Sequence, residues 1–271
     1  MIQQIGIIGV GVLGGAISTV LKSFDDLEIL EYDKYKSVGS FEKCIVSDLL
    51  FICLPTLFDE INQSYDKTEI YNVFELLNDV KYRGIILLKS TVEPGTTNEI
   101  SKLYPDLNII HNPEFLSART AVEDFQNQSH IILGILENTP TSSINSIINF
   151  YKTRIGSDIK ISITTSYESE AVKLFCNSFY AVKVHYFSVM RMFCDARDIK
   201  FENVRDCMLL NGWINPQHTN APGRDGLLSF GGACFPKDIK ALNAIVKKND
   251  IPNDLLQSVI KENIKIRGTA V

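Results

Sequence analysis

The chain has 271 residues, 45% of them hydrophobic, and a formal net charge of −5. That length supports two domains with a sizeable core, and the mild acidity speaks against nucleic-acid binding through a broad basic surface. Six cysteines, at positions 44, 53, 176, 194, 207 and 234, form no Cys-x-x-Cys pair and have no zinc-like histidine spacing, so a reduced, cytoplasmic protein without a metal is expected.

The chain opens on Gln3-Gln4-Ile5-Gly6-Ile7-Ile8-Gly9, without the charged region and long apolar run of a secretory signal, and no later segment approaches membrane-spanning length. Short β-rich runs are predicted at residues 5–8, 27–32, 49–54, 85–88, 108–110, 131–135 and 160–163, with helical patterns between them, as at 70–77 and 141–151. That alternation implies parallel βαβ units with helices on both faces of one sheet. Gly9-Val10-Gly11-Val12-Leu13-Gly14 sits between the first strand and the first helix, and Asp33 closes the second strand about twenty residues on. The first two glycines permit a tight turn and close approach of a pyrophosphate, and Gly14 lets the helix pack on the sheet. Asp33 suits the ribose hydroxyls and repels a 2′-phosphate, so NAD is preferred to NADP, although Lys34 and Lys36 leave room for a phosphate contact.

Near residue 166 the texture changes to a long helical run reaching about residue 196, with Glu168 and Glu170 in its first turn, where the helix dipole favours acids. The domain boundary is expected there: residues 1–165 as a Rossmann domain with a doubly wound parallel sheet, and residues 166–271 as an all-helical second domain carrying further helices near 201–210, 238–248 and 255–266. Gly231-Gly232-Ala233-Cys234-Phe235-Pro236-Lys237-Asp238 lies at the start of one of these helices. A thiol at a helix N-terminus beside Lys237 is biased toward the thiolate, the nucleophilic form. Cys44, Cys53, Cys176 and Cys194 stand in apolar segments, and Cys207 in a helix, where packing explains them.

Together these features resemble the UDP-glucose/GDP-mannose dehydrogenase family. Leu54-Pro55-Thr56, Ser90-Thr91-Val92-Glu93-Pro94-Gly95-Thr96-Thr97, Asn112-Pro113-Glu114-Phe115-Leu116 and the Lys173-x-x-x-Asn177 pair match further family elements in order. The resemblance implies oxidation of a nucleotide-sugar primary alcohol to the carboxylate with two NAD. Lys173 and Asn177, at i and i+4, share one helix face and can supply a cation and an amide to an oxyanion. Cys234 attacks the aldehyde, and a thiohemiacetal becomes a thioester that water cleaves. Asp238 and Thr91 are implied in handling that water, and Glu114 in thioester hydrolysis. The resemblance also assigns cofactor contacts to Gly9, Val10, Gly11, Val12, Leu13, Gly14, Asp33, Pro55, Thr56, Ser90 and Thr91. Its substrate contacts are Glu114, Phe115, Leu116, Lys173, Asn177, Phe230 and Gly231. It implies a homodimer formed through the central helical domain, and no nucleic-acid or membrane partner.

The sequence departs from the family pattern at Ala118, where an acid is usual, at Ser188-Val189, and in the loop Pro222-Gly223-Arg224-Asp225-Gly226 with Phe230. It also reads as a short form without the family's further α/β domain. Two other readings stand beside the four-electron enzyme: a two-electron β-hydroxyacid dehydrogenase, which also pairs a Rossmann domain with Lys-x-x-x-Asn, and a non-catalytic NAD-binding subunit.

Overall fold

A computed structural model describes residues 2–268. In chain order the elements are β1 (Gln4–Ile8), α1 (Val12–Leu21), β2 (Glu28–Asp33), β3 (Val38–Gly39), α2 (Phe41–Cys44), β4 (Leu49–Ile52), β5 (Phe58–Asp59), β6 (Ser64–Tyr65), α3 (Thr68–Asp79), β7 (Ile85–Leu88), α4 (Thr96–Leu103), β8 (Asn108–His111), α5 (Ala121–Gln126), β9 (His130–Ile135), α6 (Thr141–Arg154), β10 (Lys160–Thr165), α7 (Ser166–Asp195), α8 (Phe201–Leu209), α9 (Phe235–Lys248) and α10 (Asp254–Arg267). The chain forms two compact units. One holds the residues up to Leu57 together with Tyr65–Lys173, and the other holds Phe58–Ser64 and the chain from Leu174 onward.

The first unit is built on an eight-stranded sheet in the order β10-β9-β8-β7-β4-β1-β2-β3. Successive side chains of a strand point to opposite faces, and β4 shows what that demands: Leu49 and Phe51 enter one apolar layer, Leu50 and Ile52 the other, and all four are fully buried. The first layer also takes Ile5, Ile7, Ile17, Leu21 and Ile147, the second Ile8, Ile70, Phe74, Leu77 and Ile100. Helices therefore cover both faces, as continuous apolar strands require. The central pairings are parallel, with Ile5 opposite Leu49 and Ile7 opposite Phe51.

The sheet is mixed at two places: β3 runs antiparallel to β2, and β9 joins β8 by an antiparallel bridge, His111 to Gly134, while pairing in parallel with β10. β4 stops at Ile52, two residues short of the apolar run, because the Leu54 N–H donates to Ser90 Oγ at 3.0 Å and leaves the ladder.

In the second unit, helices α8 to α10 and the later part of α7 enclose two small cores. One gathers Ala181, Phe230, Ile239 and Val259, the other Phe187, Cys194, Phe201 and Ala221. β5 adds a short strand to this unit, and Glu60 beyond it accepts a hydrogen bond from Lys240 of α9. Among the described residues no helix is long and apolar enough to cross a membrane.

Candidate active site

The glycine turn of the first unit follows from sterics. Gly9 has φ +90°, and a Cβ there would lie 2.6 Å from the Cys53 carbonyl oxygen; a Cβ on Gly14 would lie 2.0 Å from the Gly9 oxygen. Gly11 is different, since a Cβ there would meet nothing within 4 Å. The fold itself makes no demand for glycine at that position. The open space lies at the N-cap of α1, which has no side-chain cap and no acid in its first turn. Helix N–H groups left in that state hold an anion, so the residues present fit a dinucleotide pyrophosphate.

Asp33 accepts the Val10 N–H at 2.9 Å through Oδ2 and the Tyr35 and Lys36 N–H groups at 3.0 Å through Oδ1. Its carboxylate is thereby oriented beside the turn. Lys36 donates to the Val10 carbonyl at 2.7 Å and Lys34 lies 3.5 Å from Glu69, so each lysine has a partner within the protein. Thr56 donates to the Thr91 carbonyl at 2.6 Å, and with the Leu54 to Ser90 bond this stitches the segments carrying Pro55, Thr56, Ser90 and Thr91 together.

The Asn-Pro-Glu-Phe-Leu element stands on a buried polar layer that sequence reasoning missed. Lys89 Nζ donates to Asn112 Oδ1 at 3.0 Å, Tyr151 donates to the same oxygen at 2.5 Å, and Asn112 Nδ2 donates to the Ile132 carbonyl at 2.8 Å. A lysine closing the apolar run of β7 was the available signal. Desolvation pulls Lys89 down to about 8 and pushes the Cys53 thiol up to about 12. With Asn112 fixed, Glu114 closes a turn by accepting the Leu116 N–H at 2.5 Å, and its other carboxylate oxygen lies 3.1 Å from Lys173 Nζ. Lys173 also donates to the Glu114 carbonyl and lies 5.1 Å from the Phe115 ring centre. The Lys173 side chain is only 4% exposed; a buried ammonium of this kind needs such partners.

Glu170 does not serve its own helix. Fully buried, it accepts the Gly95 N–H at 2.5 Å, the Thr97 N–H at 2.8 Å and the Thr97 hydroxyl at 2.5 Å. Glu168, by contrast, caps locally on Thr165.

In the second unit, Cys234 is exposed at the N-cap of α9, with Pro236 in the helix's first turn. Asp238, one turn on, is fully buried and accepts Asn177 Nδ2 at 2.6 Å and Lys237 Nζ at 2.5 Å, and its backbone N–H donates to the Cys234 carbonyl at 3.1 Å. The helix start thus fixes the spacing of thiol and carboxylate. Tyr180, His218 and Phe235, the last of them the residue after Cys234, form an aromatic group, with His218 5.3 Å from Phe235 and 4.9 Å from Tyr180. Burial, then Lys183, holds His218 below its usual range. Nothing in the local sequence links these three residues. Phe230, expected at the substrate, is 2% exposed and packs its ring with Ala181, Ile239 and Val259. Gly231 lies against Arg267, where an added Cβ would come within 2.3 Å of Nη1.

The structure thus brings Glu114, Phe115 and Lys173 together in the first unit, and Asn177 and Asp238 in the second. No group of three or more metal-ligating side chains occurs among the described residues.

Residues 28–154 match the NAD binding domain of the UDP-glucose/GDP-mannose dehydrogenase family, and residues 167–265 match its central domain. A UDP-glucose 6-dehydrogenase of Rickettsia typhi is 30% identical over 243 residues, which cover 87% of this chain and 54% of that protein. The chain spans about half the length of the curated relatives it matches. In structure it is similar to a UDP-glucose dehydrogenase of the hyperthermophilic archaeon Pyrobaculum islandicum, with TM-score 0.83 and 20% identity over 98% of this chain and 68% of that one. The 3-hydroxyisobutyrate dehydrogenase of Mycobacterium tuberculosis gives TM-score 0.74 and 15% identity, covering 99% of this chain and 95% of the other. The two domain matches follow one another along most of the sequence: the chain belongs to the UDP-glucose/GDP-mannose dehydrogenase family.

Proposed function

We propose that the chain acts in the NAD-dependent, four-electron oxidation of a nucleotide-sugar primary alcohol to the uronic acid, with UDP-glucose as the first substrate to test. The observation that carries this reading is the exposed Cys234 at the N-cap of α9, one turn before the buried Asp238 held by Asn177 and Lys237. A two-electron oxidation has no use for a nucleophilic thiol. Bound NAD supplies a hydride acceptor for each of the two oxidations. The glycine turn, α1 and Asp33 hold it, and the Asp33 carboxylate disfavours a 2′-phosphate.

The substrate alcohol loses a hydride and a proton to become an aldehyde. Cys234 Sγ then bonds to the aldehyde carbon, and the oxyanion that develops is met by the cation of Lys173 and the amide of Asn177, by the family resemblance. Loss of a second hydride from the thiohemiacetal carbon leaves a thioester. Water attacks that carbonyl, the C–S bond breaks, and the thiol and a carboxylate are released; Asp238 and Thr91 handle the water and Glu114 assists the hydrolysis. Phe175, Phe179, Tyr186, Val189 and Phe193 leave an exposed apolar stripe along the later part of α7. That stripe supports a homodimer formed through the central helix.

The test is NADH released per sugar consumed, with UDP- and GDP-sugars, for the wild type and Cys234→Ala. Two NADH per sugar, abolished by the substitution, is the expected result. One NADH per substrate, unchanged in Cys234→Ala, would establish the two-electron reading, and NAD binding without turnover on any of these sugars would favour the non-catalytic one.

A further inference from the structure

We propose that Arg267 and His185 are positioning residues for Cys234, acting together as a clamp on residues 225–231, the segment that delivers the thiol to the start of α9. The inference rests on the reading of Cys234 as nucleophile, and every residue in it belongs to the second unit.

Arg267 is the last residue of α10, and its guanidinium is spent entirely on this segment. Nε donates to the Leu228 carbonyl at 2.9 Å, Nη2 to the Ser229 carbonyl at 2.7 Å, and Nη1 to Asp225 Oδ2 at 2.8 Å. Its side chain is 11% exposed, and the rigid planar fork engages two carbonyls and a carboxylate from three nitrogens, a spread that a lysine's single ammonium does not match. Arg267 is also the first cause holding the Asp225 carboxyl below its ordinary range.

Ser229 is held from the other side as well. It has φ 61°, a left-handed conformation that a serine adopts only when its surroundings fix it. Its N–H donates to Ser188 Oγ at 2.7 Å, and its Oγ lies 2.9 Å from His185 Nδ1. His185 Nε2 in turn lies 2.8 Å from Glu262 Oε2. Glu262 and Arg267 both stand on α10, so that helix reaches Ser229 twice, once through the imidazole and once directly. Phe230 follows with its ring in the core, and Gly231 has no room for a Cβ beside Arg267 Nη1. Beyond this point Gly232, Ala233 and Cys234 are exposed. The thiol therefore sits on a short exposed segment fixed at one end by α9 and at the other by the clamp. Gly231 has a role that contact with substrate does not require: it admits the guanidinium.

Because Cys234 is already exposed, loosening the segment gains it no access to reagent. What is lost is its fixed place at the helix N-terminus, which favours the thiolate. The experiment follows iodoacetamide alkylation of Cys234 at pH 7 by peptide mass, with Cys207, exposed on α8, as the reference within the same molecule. The variants are Arg267→Met, Arg267→Lys, His185→Gln and Gly231→Ala, each with its melting temperature. The Cys234-to-Cys207 rate ratio is expected to fall at least threefold in Arg267→Met, His185→Gln and Gly231→Ala, and by less in Arg267→Lys. An unchanged ratio in the folded variants overturns the proposal. Should Arg267→Met not fold, His185→Gln and Gly231→Ala decide the matter by the same ratio. Loss of general stability moves both cysteines together and leaves the ratio where it was. The ratio needs no sugar, so a failure of the clamp is separate from a failure of the oxidation chemistry, which Cys234→Ala reports by NADH count.

Discussion

Glu170 caps a helix that starts 74 residues before it in the chain: its carboxylate accepts the N–H groups of Gly95 and Thr97 at the N-terminus of α4. Burial raises this carboxyl from 4.5 to about 7 despite those bonds. The folded chain then holds the proton more tightly than the unfolded one. The stabilisation from that proton is fully present below pH 4.5 and is lost as the pH rises through about 7. Over that window wild type should lose up to about 3 kcal/mol relative to Glu170→Gln. Urea midpoints of both proteins at pH 5 and pH 8 measure it; parallel pH dependences would show that Glu170 does not titrate in this way.

The turn glycines predict opposite behaviour for two substitutions of the same size. Gly11→Ala meets open space and should leave the melting temperature unchanged while weakening NAD binding at least tenfold. Gly14→Ala forces its methyl against the Gly9 carbonyl and should lower both stability and affinity. Thermal melts with NAD titrations of the two variants separate the effects.

Lys173→Met removes the buried partner of Glu114. Stripping one member of a buried pair costs roughly 3 kcal/mol at the low end of the usual range, and partial exposure of Glu114 keeps it there. Turnover should fall by about a hundredfold or more through lost oxyanion stabilisation, with NAD affinity retained. Denaturation and steady-state kinetics test the two parts separately.

Asp238→Ala leaves Asn177 without its buried acceptor and should cost about 1 to 3 kcal/mol. Asp238→Asn keeps the volume and one carbonyl acceptor, so its melting temperature should lie closer to wild type, while steady-state turnover is lost in both variants. Activity surviving in Asp238→Asn would remove the carboxylate from the chemistry.

Much of the fold could be read from local pattern. The apolar runs of β1, β4 and β7 and the glycine turn declare a parallel sheet because each signal is complete within a few residues. The start of α4 could not be read in the same way: its cap comes from Glu170, which stands in α7 beyond the first-turn Glu168 and gives no sign of serving another helix. The site divides along the same line. The Gly-Gly-x-Cys and Phe-Pro-Lys-Asp sequence sets the thiol at a helix start, a local fact. Phe230 is a substrate contact only by the resemblance, and its packing with Ala181, Val259 and, nine residues on, Ile239 has no local sign. Lys89 is the converse, a charged residue whose burial depends on Asn112 and Tyr151 far along the chain.

The two-sided burial of β4 also bears on how such a chain can diverge. Leu49 and Phe51 serve one layer, Leu50 and Ile52 the other, so inserting a single residue within this strand would send each following side chain into the opposite layer. Neither layer has a solvent face at that point to absorb the error. The exposed turn between β5 and β6, with Ile61 92% exposed, carries no such parity. Length differences among relatives should therefore collect at this turn and be absent from residues 49–52.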